Sequence, residues 1–242
     1  MNKTLLNTNI QEFINNNLKS DVSALLLKAP PFSAVETKAI IEQIESKKRC
    51  EKKLPTWFNT RNIYYANKLN IEQTSSEITA NYKSKIISGD SIIDLTGGFG
   101  VDCLSYSKLF KTVAHCEINQ GLSNIVKYNY RQLNIKNIKT ICSDGIEYLS
   151  NSDHRYDWIY IDPSRRHDRK GKVFFLKDCL PDVPKHLGLL FKHSKNILIK
   201  TSPLLDLSVG IGELKHAHLH PQKECWSFCK VCLLSVLYKN KK

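Results

Sequence analysis

The sequence has no long run of apolar residues and no sign of a secretion signal. A membrane-spanning helix needs roughly 18 or more consecutive apolar residues, and no stretch of the chain approaches that length. The N-terminus, Met1-Asn2-Lys3-Thr4, has no apolar signal region. These absences argue against a membrane protein and a secreted protein, and we expect a cytoplasmic one.

Negative charge is also scarce. The 242 residues include 23 Asp and Glu against 36 Lys and Arg, which gives a net charge of +13. Such an excess predicts a polyanionic partner, a nucleic acid before a membrane surface. A lysine-rich protein without such a partner is the alternative. The length suits one large domain with a small extension.

A disulfide framework is not expected either. Several of the eight cysteines, such as Cys116 and Cys142, lie inside apolar runs. Buried reduced thiols explain this placement better than cross-links do.

The first 60 residues show helical periodicity and no strand alternation. We predict helices over 10–18, with Asn9 as the cap, over 22–27, and over 35–44, with Ser33 and Glu36 as a capping box. The basic run at 47–53 indicates a solvated helix end or, alternatively, a phosphate contact.

The rest of the chain alternates between strand-like and helix-like segments. The predicted strands cover 91–95, 112–117, 138–143, 156–161 and 195–200, and the predicted helices cover 76–87, 101–110, 120–133, 145–150, 174–187 and 203–209. Alternation of this kind is typical of an α/β protein whose parallel sheet has helices on both faces. Two final strands, at 215–220 and 228–238, predict a closing antiparallel hairpin. We divide the chain into an N-terminal helical extension, 1–60, and one α/β domain, 61–242.

Ligands of parallel sheets bind beyond the carboxyl ends of the strands, so the residues that follow each strand carry most information. The first strand ends in Asp94 and then a turn with glycines at Gly97, Gly98 and Gly100. Glycine permits positive φ and close approach of a ligand to the backbone. The helix that follows supplies free N–H groups.

The next strands also end in polar residues. Glu117 follows the second strand, Asp144 and Gly145 follow the third, and Asp162 follows the fourth. An acid in the position of Glu117 suits the two hydroxyls of a ribose, in a nicotinamide cofactor as in other nucleotides. The turn is not G-x-G-x-x-G, however, and Asp94 is poorly placed beside phosphates but well placed beside an ammonium or sulfonium group.

The run from Asp94 to Asp102, Asp-Leu-Thr-Gly-Gly-Phe-Gly-Val-Asp, resembles motif I of the class I S-adenosylmethionine-dependent methyltransferases. The resemblance implies a Rossmann-like, seven-stranded, mostly parallel sheet with a C-terminal antiparallel hairpin. It implies S-adenosyl-L-methionine as the cofactor. It also implies the cofactor-binding residues, which are Asp94, Thr96, Gly97, Gly98, Gly100, Asp102, Glu117, Asp144, Gly145 and Thr79.

A closer resemblance is to bacterial methyltransferases with a THUMP-like domain, whose motif IV reads Asp-Pro-Ala/Ser-Arg-Arg. Here motif IV is Asp162-Pro163-Ser164-Arg165-Arg166, and the segments 54–57, 72–83 and 178–183 also match. The likeness covers about residues 10 to 238. The sequence ends at Lys242, where such relatives continue into further domains, so the RNA-binding role of those domains is not carried over.

Motif IV predicts the reacting group. Asp162, with Pro163, Ser164 and Arg165 beside it, is expected to orient an amine or ring nitrogen of an RNA base for attack on the methyl group, mainly by proximity. The aromatic ring that stacks on the base in many such enzymes is either missing here or replaced by Arg165, through guanidinium stacking or a phosphate contact. The cations expected to contact RNA are Arg165, Arg166, Arg169, Lys170 and Lys172.

Each of these residue groups also has a structural alternative. The glycines could form a plain tight turn, Glu117 could be a surface acid, and Asp162 could cap a loop. Arg165 and Arg166 could pair with a core acid. A nucleophilic Cys179 would indicate methylation at carbon 5 of a pyrimidine, but no base lies near it in sequence.

A metal site is not expected. The histidines at 216, 218 and 220 share one strand face and precede cysteines at 225, 229 and 232. In a strand, however, the spacing of the last two cysteines places their thiols on opposite faces. As alternatives to a methyltransferase we keep a nicotinamide-dependent oxidoreductase and a non-catalytic RNA-binding protein that retains the fold. The sequence predicts no oligomeric state.

Overall fold

The computed structural model describes residues 1–27, 32–165, 175–201, 207–214, 222–226 and 231–237. Its N-terminal part is helical, as predicted. After a short 3-10 turn at Lys3–Leu6 come six helices, which are α1 (Thr8–Asn16), α2 (Val22–Leu27), α3 (Ala34–Lys53), α4 (Pro55–Asn59), α5 (Lys68–Gln73) and α6 (Glu77–Lys85). The helix α1 begins after Asn7 rather than Asn9. The helix α3 is longer than predicted because no proline or glycine interrupts it before Pro55.

The central sheet begins at residue 91. Five strands run parallel, and they are β1 (Ser91–Asp94), β2 (Thr112–Cys116), β3 (Ile138–Ile141), β4 (Trp158–Ile161) and β7 (Asn196–Thr201). The helices between and after them are α7 (Val101–Ser107), α8 (Gln120–Gln132), α9 (Gly145–Ser150), α10 (Val183–His193) and α11 (Leu207–Leu214). The predicted α/β, Rossmann-like class is thus confirmed.

Two more strands extend the sheet, β8 (Gln222–Trp226) and β9 (Val231–Leu237), which pair antiparallel with each other. The strand β9 also pairs antiparallel with β7, so the order is β3-β2-β1-β4-β7-β9-β8. The strand predicted at 215–220 lies outside the described residues. So does the connection at 227–230, and the closing hairpin stays a prediction.

The helix predicted at 174–187 is observed only from Val183, where α10 begins, and the prediction over 175–182 is wrong. In its place are a 3-10 turn at Leu176–Asp178 and the short strand β6 (Cys179–Leu180), which pairs antiparallel with β5 (Ser164–Arg165) of motif IV. Pro181 cannot continue a helix, and Asp182 caps α10 instead, through a hydrogen bond from the Lys185 N–H. The motif IV segment is therefore held against the segment before α10.

The sheet is buried on both faces, and successive strand residues alternate between them. Ile92, Tyr160 and Leu198 belong to one apolar cluster, and Ile93 and Ile159 belong to the other. The first cluster also contains residues from before the predicted boundary at residue 60, among them Cys50, Leu54 and Trp57. A third cluster joins α1, α2 and α3. The division at residue 60 stays a prediction, and residues on both sides of it share one core.

The connection between α4 and α5 is held by amide side chains. Gln43 of α3 donates to the Tyr65 carbonyl and accepts from the Tyr65 N–H at 2.7 and 2.8 Å. Asn129 of α8 makes the same paired bonds with the backbone of Tyr64 at 2.9 Å each. These bonds satisfy buried backbone groups that no helix or strand would otherwise satisfy.

The basic run at the end of α3 is partly internal. Lys47 donates to Asn15, and Arg49 and Lys53 both contact Glu72 at the end of α5. Two lysines of the run are exposed, Lys48 and Lys52. Among the described helices, none has the length and apolar character that a bilayer crossing requires.

Replacing Gln43 by Ala should lower the free energy of unfolding by about 2–4 kcal/mol, because both buried backbone groups of Tyr65 lose their partners. Urea denaturation followed by circular dichroism measures the change. Replacing the exposed Gln120 by Ala is the matched control and should change stability by less than about 0.5 kcal/mol. Equal effects of the two variants would contradict this account of the connection.

Candidate active site

A cavity of about 1010 Å³ lies at the carboxyl ends of the parallel strands. It opens where β1 separates β2 from β4, the point at which the strand order reverses and where ligands of such sheets bind. Its polar wall combines the ends of the five parallel strands with the segment before α6. The residues most relevant to chemistry are Ser75, Thr96, Gly97, Gly98, Asp102, Glu117, Asp144, Gly145, Asp162, Pro163, Ser164, Cys179 and Lys200.

The glycine turn requires glycine at each of its three positions. Gly98 and Gly100 have φ of +52° and +82°, a region that other residues rarely adopt. A Cβ on Gly97 would overlap the His115 ring, and one on Gly100 would overlap Tyr130. A Cβ on Gly98 would meet no atom closer than 3.8 Å. Gly97 and Gly98 line the cavity, whereas Gly100 begins α7 behind it.

Asp94 lies beneath this turn and does not line the cavity. Its side chain is 2% exposed, and it accepts from the Thr96 N–H at 2.8 Å and from the Thr96 hydroxyl at 3.1 Å. Burial raises the pKa of Asp94 to about 7, and the charge of Asp102 adds to this effect. The carboxylate turns inward and holds the turn, and the contact of Asp94 with the cofactor stays a prediction.

Thr96 links the ends of β1 and β4. Its hydroxyl donates to Asp94 and accepts from the Asp162 N–H at 2.8 Å. One side chain therefore fixes the backbone of motif IV relative to the glycine turn.

Glu117 faces the glycine turn from the end of β2. Its two carboxylate oxygens accept from the Gly98 N–H at 3.0 Å and from the Asn119 N–H at 2.7 Å. The side chain is half-buried, and Ile118 next to it is 70% exposed on the cavity wall. Each carboxylate oxygen keeps a further lone pair for a hydroxyl donor.

A buried ion pair forms the floor beside Asp102. The Lys83 ammonium, 0% exposed, lies 2.6 Å from the Asp102 carboxylate. Ser75 and Tyr160 donate to the same carboxylate at 3.0 and 3.2 Å. Burial by itself favours the neutral acid, but Lys83 and Lys200 outweigh it and lower the pKa of Asp102. Burial also favours the neutral form of Lys83 and lowers its pKa, whereas the charge of Asp102 opposes this shift.

A second ion pair lies at the reacting end of the cavity. The Lys200 ammonium, near the end of β7, is 2.5 Å from Asp162 Oδ2 and 3.5 Å from the Ser75 hydroxyl. The side chains of Lys200 and Asp162 are 16% and 32% exposed. Burial favours the neutral amine, yet Asp162 and Asp102 raise the pKa of Lys200 above its ordinary value. Lys200 therefore stays protonated at neutral pH.

Of the remaining predicted residues, some line the cavity and others do not. Asp144 caps α9 through bonds from the Ile146 and Glu147 N–H groups, and both Asp144 and Gly145 line the cavity. Thr79 is buried in α6 and bonds to Ser76, away from the cavity wall. The backbone of Arg165 pairs with β6, and the predicted RNA-contacting residues Arg166, Arg169, Lys170 and Lys172 lie outside the described residues.

Three residues that sequence reasoning missed are central here, namely Ser75, Lys83 and Lys200. Lys200 had a usable signal, because it is a charged residue near the carboxyl end of an apolar strand, the same signal that identified Asp94, Glu117 and Asp162. Lys83 had no such signal, because it lies in a helix and a lysine in a helix normally faces solvent.

The structure also shows the positions of the candidate nucleophile Cys179 and of two candidate zinc ligands. Cys179 lines the cavity, and its thiol donates to the Phe175 carbonyl at 3.6 Å. Of the rejected zinc ligands, Cys225 and Cys232 lie opposite each other in β8 and β9. The others, at 216, 218, 220 and 229, lie outside the described residues. Within the described part of the chain no cluster of metal-binding side chains is found.

No protein-family model and no curated protein matches the sequence. A solved structure from Porphyromonas gingivalis W83, described as a "putative methyltransferase", has a TM-score of 0.80 at 26% identity. The match covers 100% of this chain and 60% of the other, so the chain spans well under two thirds of that protein.

More distant structures match a smaller share of this chain. The precorrin-6y C5,15-methyltransferase of Geobacter metallireducens GS-15 has a TM-score of 0.51 at 14% identity, covering 73% of this chain and 94% of its own. A SAM-dependent O-methyltransferase of Thermotoga maritima has a TM-score of 0.50 at 11% identity, covering 72% and 70%. The chain therefore has the α/β, Rossmann-like methyltransferase fold.

Replacing Asp94 by Asn should remove a pH-dependent cost to stability. Unfolded Asp94 ionises near 3.8, whereas in the folded protein it keeps its proton up to about pH 7. Between these values the folded state binds the extra proton, so the contribution of Asp94 to the free energy of unfolding falls as pH rises. Between about pH 5 and about pH 8, the free energy of unfolding of the variant should rise by about 1–4 kcal/mol relative to that of the native protein.

Urea denaturation of both proteins at each pH measures this difference. The buried His115, whose pKa is lowered by desolvation to about 4, acts in the opposite direction, but it is present in both proteins and cancels. A difference that does not change with pH would rule out a raised pKa at Asp94.

Replacing Gly97 by Ala should destabilise the protein by about 1–3 kcal/mol, because the new methyl group meets the buried His115 ring. Gly188 in α10 provides the control, since a methyl group there would meet none of the described atoms within 4 Å. Its replacement by Ala should be neutral or stabilise by up to about 1 kcal/mol through helix propensity. Thermal unfolding of the two variants distinguishes them, and equal melting temperatures would be inconsistent with the packing described.

Proposed function

We propose that this protein is an S-adenosylmethionine-dependent methyltransferase that methylates a base nitrogen in RNA. The observation that carries the proposal is one cavity in which the glycine turn and Glu117 stand opposite Asp162. This arrangement holds a nucleoside cofactor on one side and a reacting group on the other. The similarity to the P. gingivalis structure, which extends over the whole of this chain, supports the proposal.

The residues present fit this cofactor. Glu117 offers carboxylate oxygens to ribose hydroxyls, and the exposed Ile118 offers an apolar surface to a flat ring. Gly98 has no neighbouring atom closer than 3.8 Å to the position of a Cβ, and this space leaves room for the carbon atoms that join the ribose of the cofactor to its sulfur. The cavity of about 1010 Å³ is at the upper end of common ligand sites, roughly 300–1,000 Å³, and accommodates a second group.

The cofactor supplies an electrophilic methyl group on a positively charged sulfur. The protein supplies position and charge. Thr96 fixes Asp162 at the cavity wall, and the carboxylate accepts a hydrogen bond, and then a proton, from the nitrogen that attacks. Burial of the surrounding walls strengthens these interactions and limits access of water.

RNA is favoured as the substrate by the net charge of +13. Polyanions are attracted to such a protein over long distances, in a salt-dependent manner. The resemblance of motif IV to that of THUMP-like-domain methyltransferases points in the same direction. In this proposal the helical extension, 1–60, supports the domain at 61–242, and the cations after motif IV contact the phosphate backbone.

The oxidoreductase alternative predicts a different cofactor. The Glu117 side chain would suit a nicotinamide dinucleotide equally well, but the glycine turn is not the G-x-G-x-x-G turn that holds a pyrophosphate. The alternative of a non-catalytic RNA-binding protein predicts RNA binding without methyl transfer.

Isothermal titration with S-adenosylmethionine, S-adenosylhomocysteine and NAD separates the cofactors. We expect both sulfur compounds to bind and NAD not to bind. Replacing Glu117 by Gln should raise the dissociation constant about 10–100-fold, because a charged hydrogen-bond acceptor is lost. Glu147, exposed on α9, is the control, and Glu147→Gln should leave binding unchanged. Binding of NAD alone would overturn the proposal.

Transfer of radiolabelled methyl groups to RNA from a strain lacking the gene tests the reaction. Asp162→Ala should abolish incorporation while S-adenosylmethionine still binds. Unchanged incorporation would show that Asp162 is not catalytic. Binding of RNA without any incorporation by the native protein would favour the non-catalytic alternative.

A further inference from the structure

The ion pair between Lys200 and Asp162 constrains what the substrate can be. Both side chains line the cavity, and the Lys200 ammonium lies 2.5 Å from Asp162 Oδ2. A carboxylate accepts hydrogen bonds, and an ammonium only donates them. The wall at motif IV thus presents an acceptor and a donor side by side.

Lys200 is also a fixed positive charge. Asp162 and Asp102 raise its pKa, so it does not serve as a base near neutral pH. A methyl donor with a cationic sulfur in the same cavity is repelled by such a charge. That repulsion is offset when the reacting group of the substrate becomes negatively charged, because the cation then stabilises the charge as it develops.

We infer that the Asp162–Lys200 pair recognises a lactam edge, a ring N–H next to a carbonyl group, as on guanine or uracil. Asp162 accepts the ring N–H, and Lys200 donates to the adjacent carbonyl oxygen. This inference rests on the proposed function and specifies its substrate class.

In the proposed methyl transfer, each proton and each electron pair is accounted for. The ring nitrogen gives its proton to Asp162, and the resulting negative charge is delocalised onto the carbonyl oxygen, beside Lys200. The electron pair of the nitrogen forms the new bond to the methyl carbon. The electron pair of the broken carbon–sulfur bond stays on sulfur, which becomes neutral, and Asp162 later releases the proton to water.

Other acceptors of a methyl group fit the pair less well. An exocyclic amine, as on adenine or cytosine, attacks through its lone pair and does not place negative charge beside Lys200. A ribose hydroxyl has no carbonyl neighbour to accept from Lys200. Single-stranded RNA exposes the base edges that proteins contact in this way.

The charges around the pair come from four further elements. Asp94 and Asp102 belong to β1 and α7, and Lys83 belongs to α6. Lys53 of α3 also interacts with Lys200. Asp102 is paired with Lys83, so Lys200 remains the cation paired with Asp162.

The test uses the purified protein, S-adenosylmethionine and RNA from a strain lacking the gene, with nucleosides analysed by mass spectrometry. The inference predicts that the methylated product is a guanosine or uridine type, methylated at the ring nitrogen next to the carbonyl group, N1 of guanosine or N3 of uridine. Methylation at N7 of guanosine, at an exocyclic amine, at carbon or at a ribose hydroxyl would overturn the inference and leave the proposed function in place. No methylated product, or no binding of S-adenosylmethionine, would overturn both.

Variants of Lys200 test its role in the same assay. Lys200→Met should lower kcat about 10²–10³-fold near neutral pH, as expected when a group that stabilises developing charge is lost. The loss should shrink toward about pH 9, where the lactam ionises without help. Lys200→Arg should restore much of the activity, because it retains a donor and a positive charge.

Lys195→Met is the matched control, because this exposed lysine lies just before β7, at the opposite end of the sheet. It should behave as the native protein does. Titration with S-adenosylmethionine confirms that the Lys200→Met protein is folded and binds the cofactor. A loss that is equal at every pH, or activity that Arg does not restore, would indicate a merely structural role and overturn the inference.

Discussion

The buried contact between Lys83 and Asp102 is the interaction on which the geometry of the site depends. A lysine with no exposed side-chain surface is tolerated only with full compensation, and here a carboxylate at 2.6 Å and two hydroxyls provide it. Removing either partner would leave a buried charge unpaired, which typically costs about 3–5 kcal/mol. The pair joins α6 to the start of α7, and it holds Ser75 at the cavity wall.

The polar groups of the cavity form one connected network. The Thr96 hydroxyl joins Asp94 to the backbone of Asp162, and Lys200 joins the Asp162 side chain to Ser75, which returns to Asp102. Because each group is held by the next, the charged side chains are oriented before any ligand enters. Preorganisation of this kind is the main electrostatic contribution that a protein makes to group transfer.

The sequence predicted the sheet and much of the candidate site, since both follow from local patterns. Apolar runs ending in polar residues located Glu117 and Asp162, and the glycine spacing located the turn. The contact of Asp94 with a cofactor stays a prediction, since its carboxylate bonds to Thr96 two residues away, and the helix predicted over 175–182 was wrong because Pro181 was given too little weight. Lys83 and Ser75 lie in the segment 72–83 that resembles the methyltransferase family, but their roles could not be predicted, since their partner Asp102 is distant in sequence.

The helices before the sheet are part of the site rather than an addition to it. Lys53 of α3 donates to the Ile71 and Glu72 carbonyls at the end of α5, and Glu77 of α6 accepts from the Thr56 N–H and hydroxyl. These bonds fix the connection between α5 and α6, which supplies Gln73, Thr74 and Ser75 to the cavity wall. Without the helices that precede residue 91, the sheet would therefore lack one side of the cavity, together with Ser75 and Lys83, which contact Asp102.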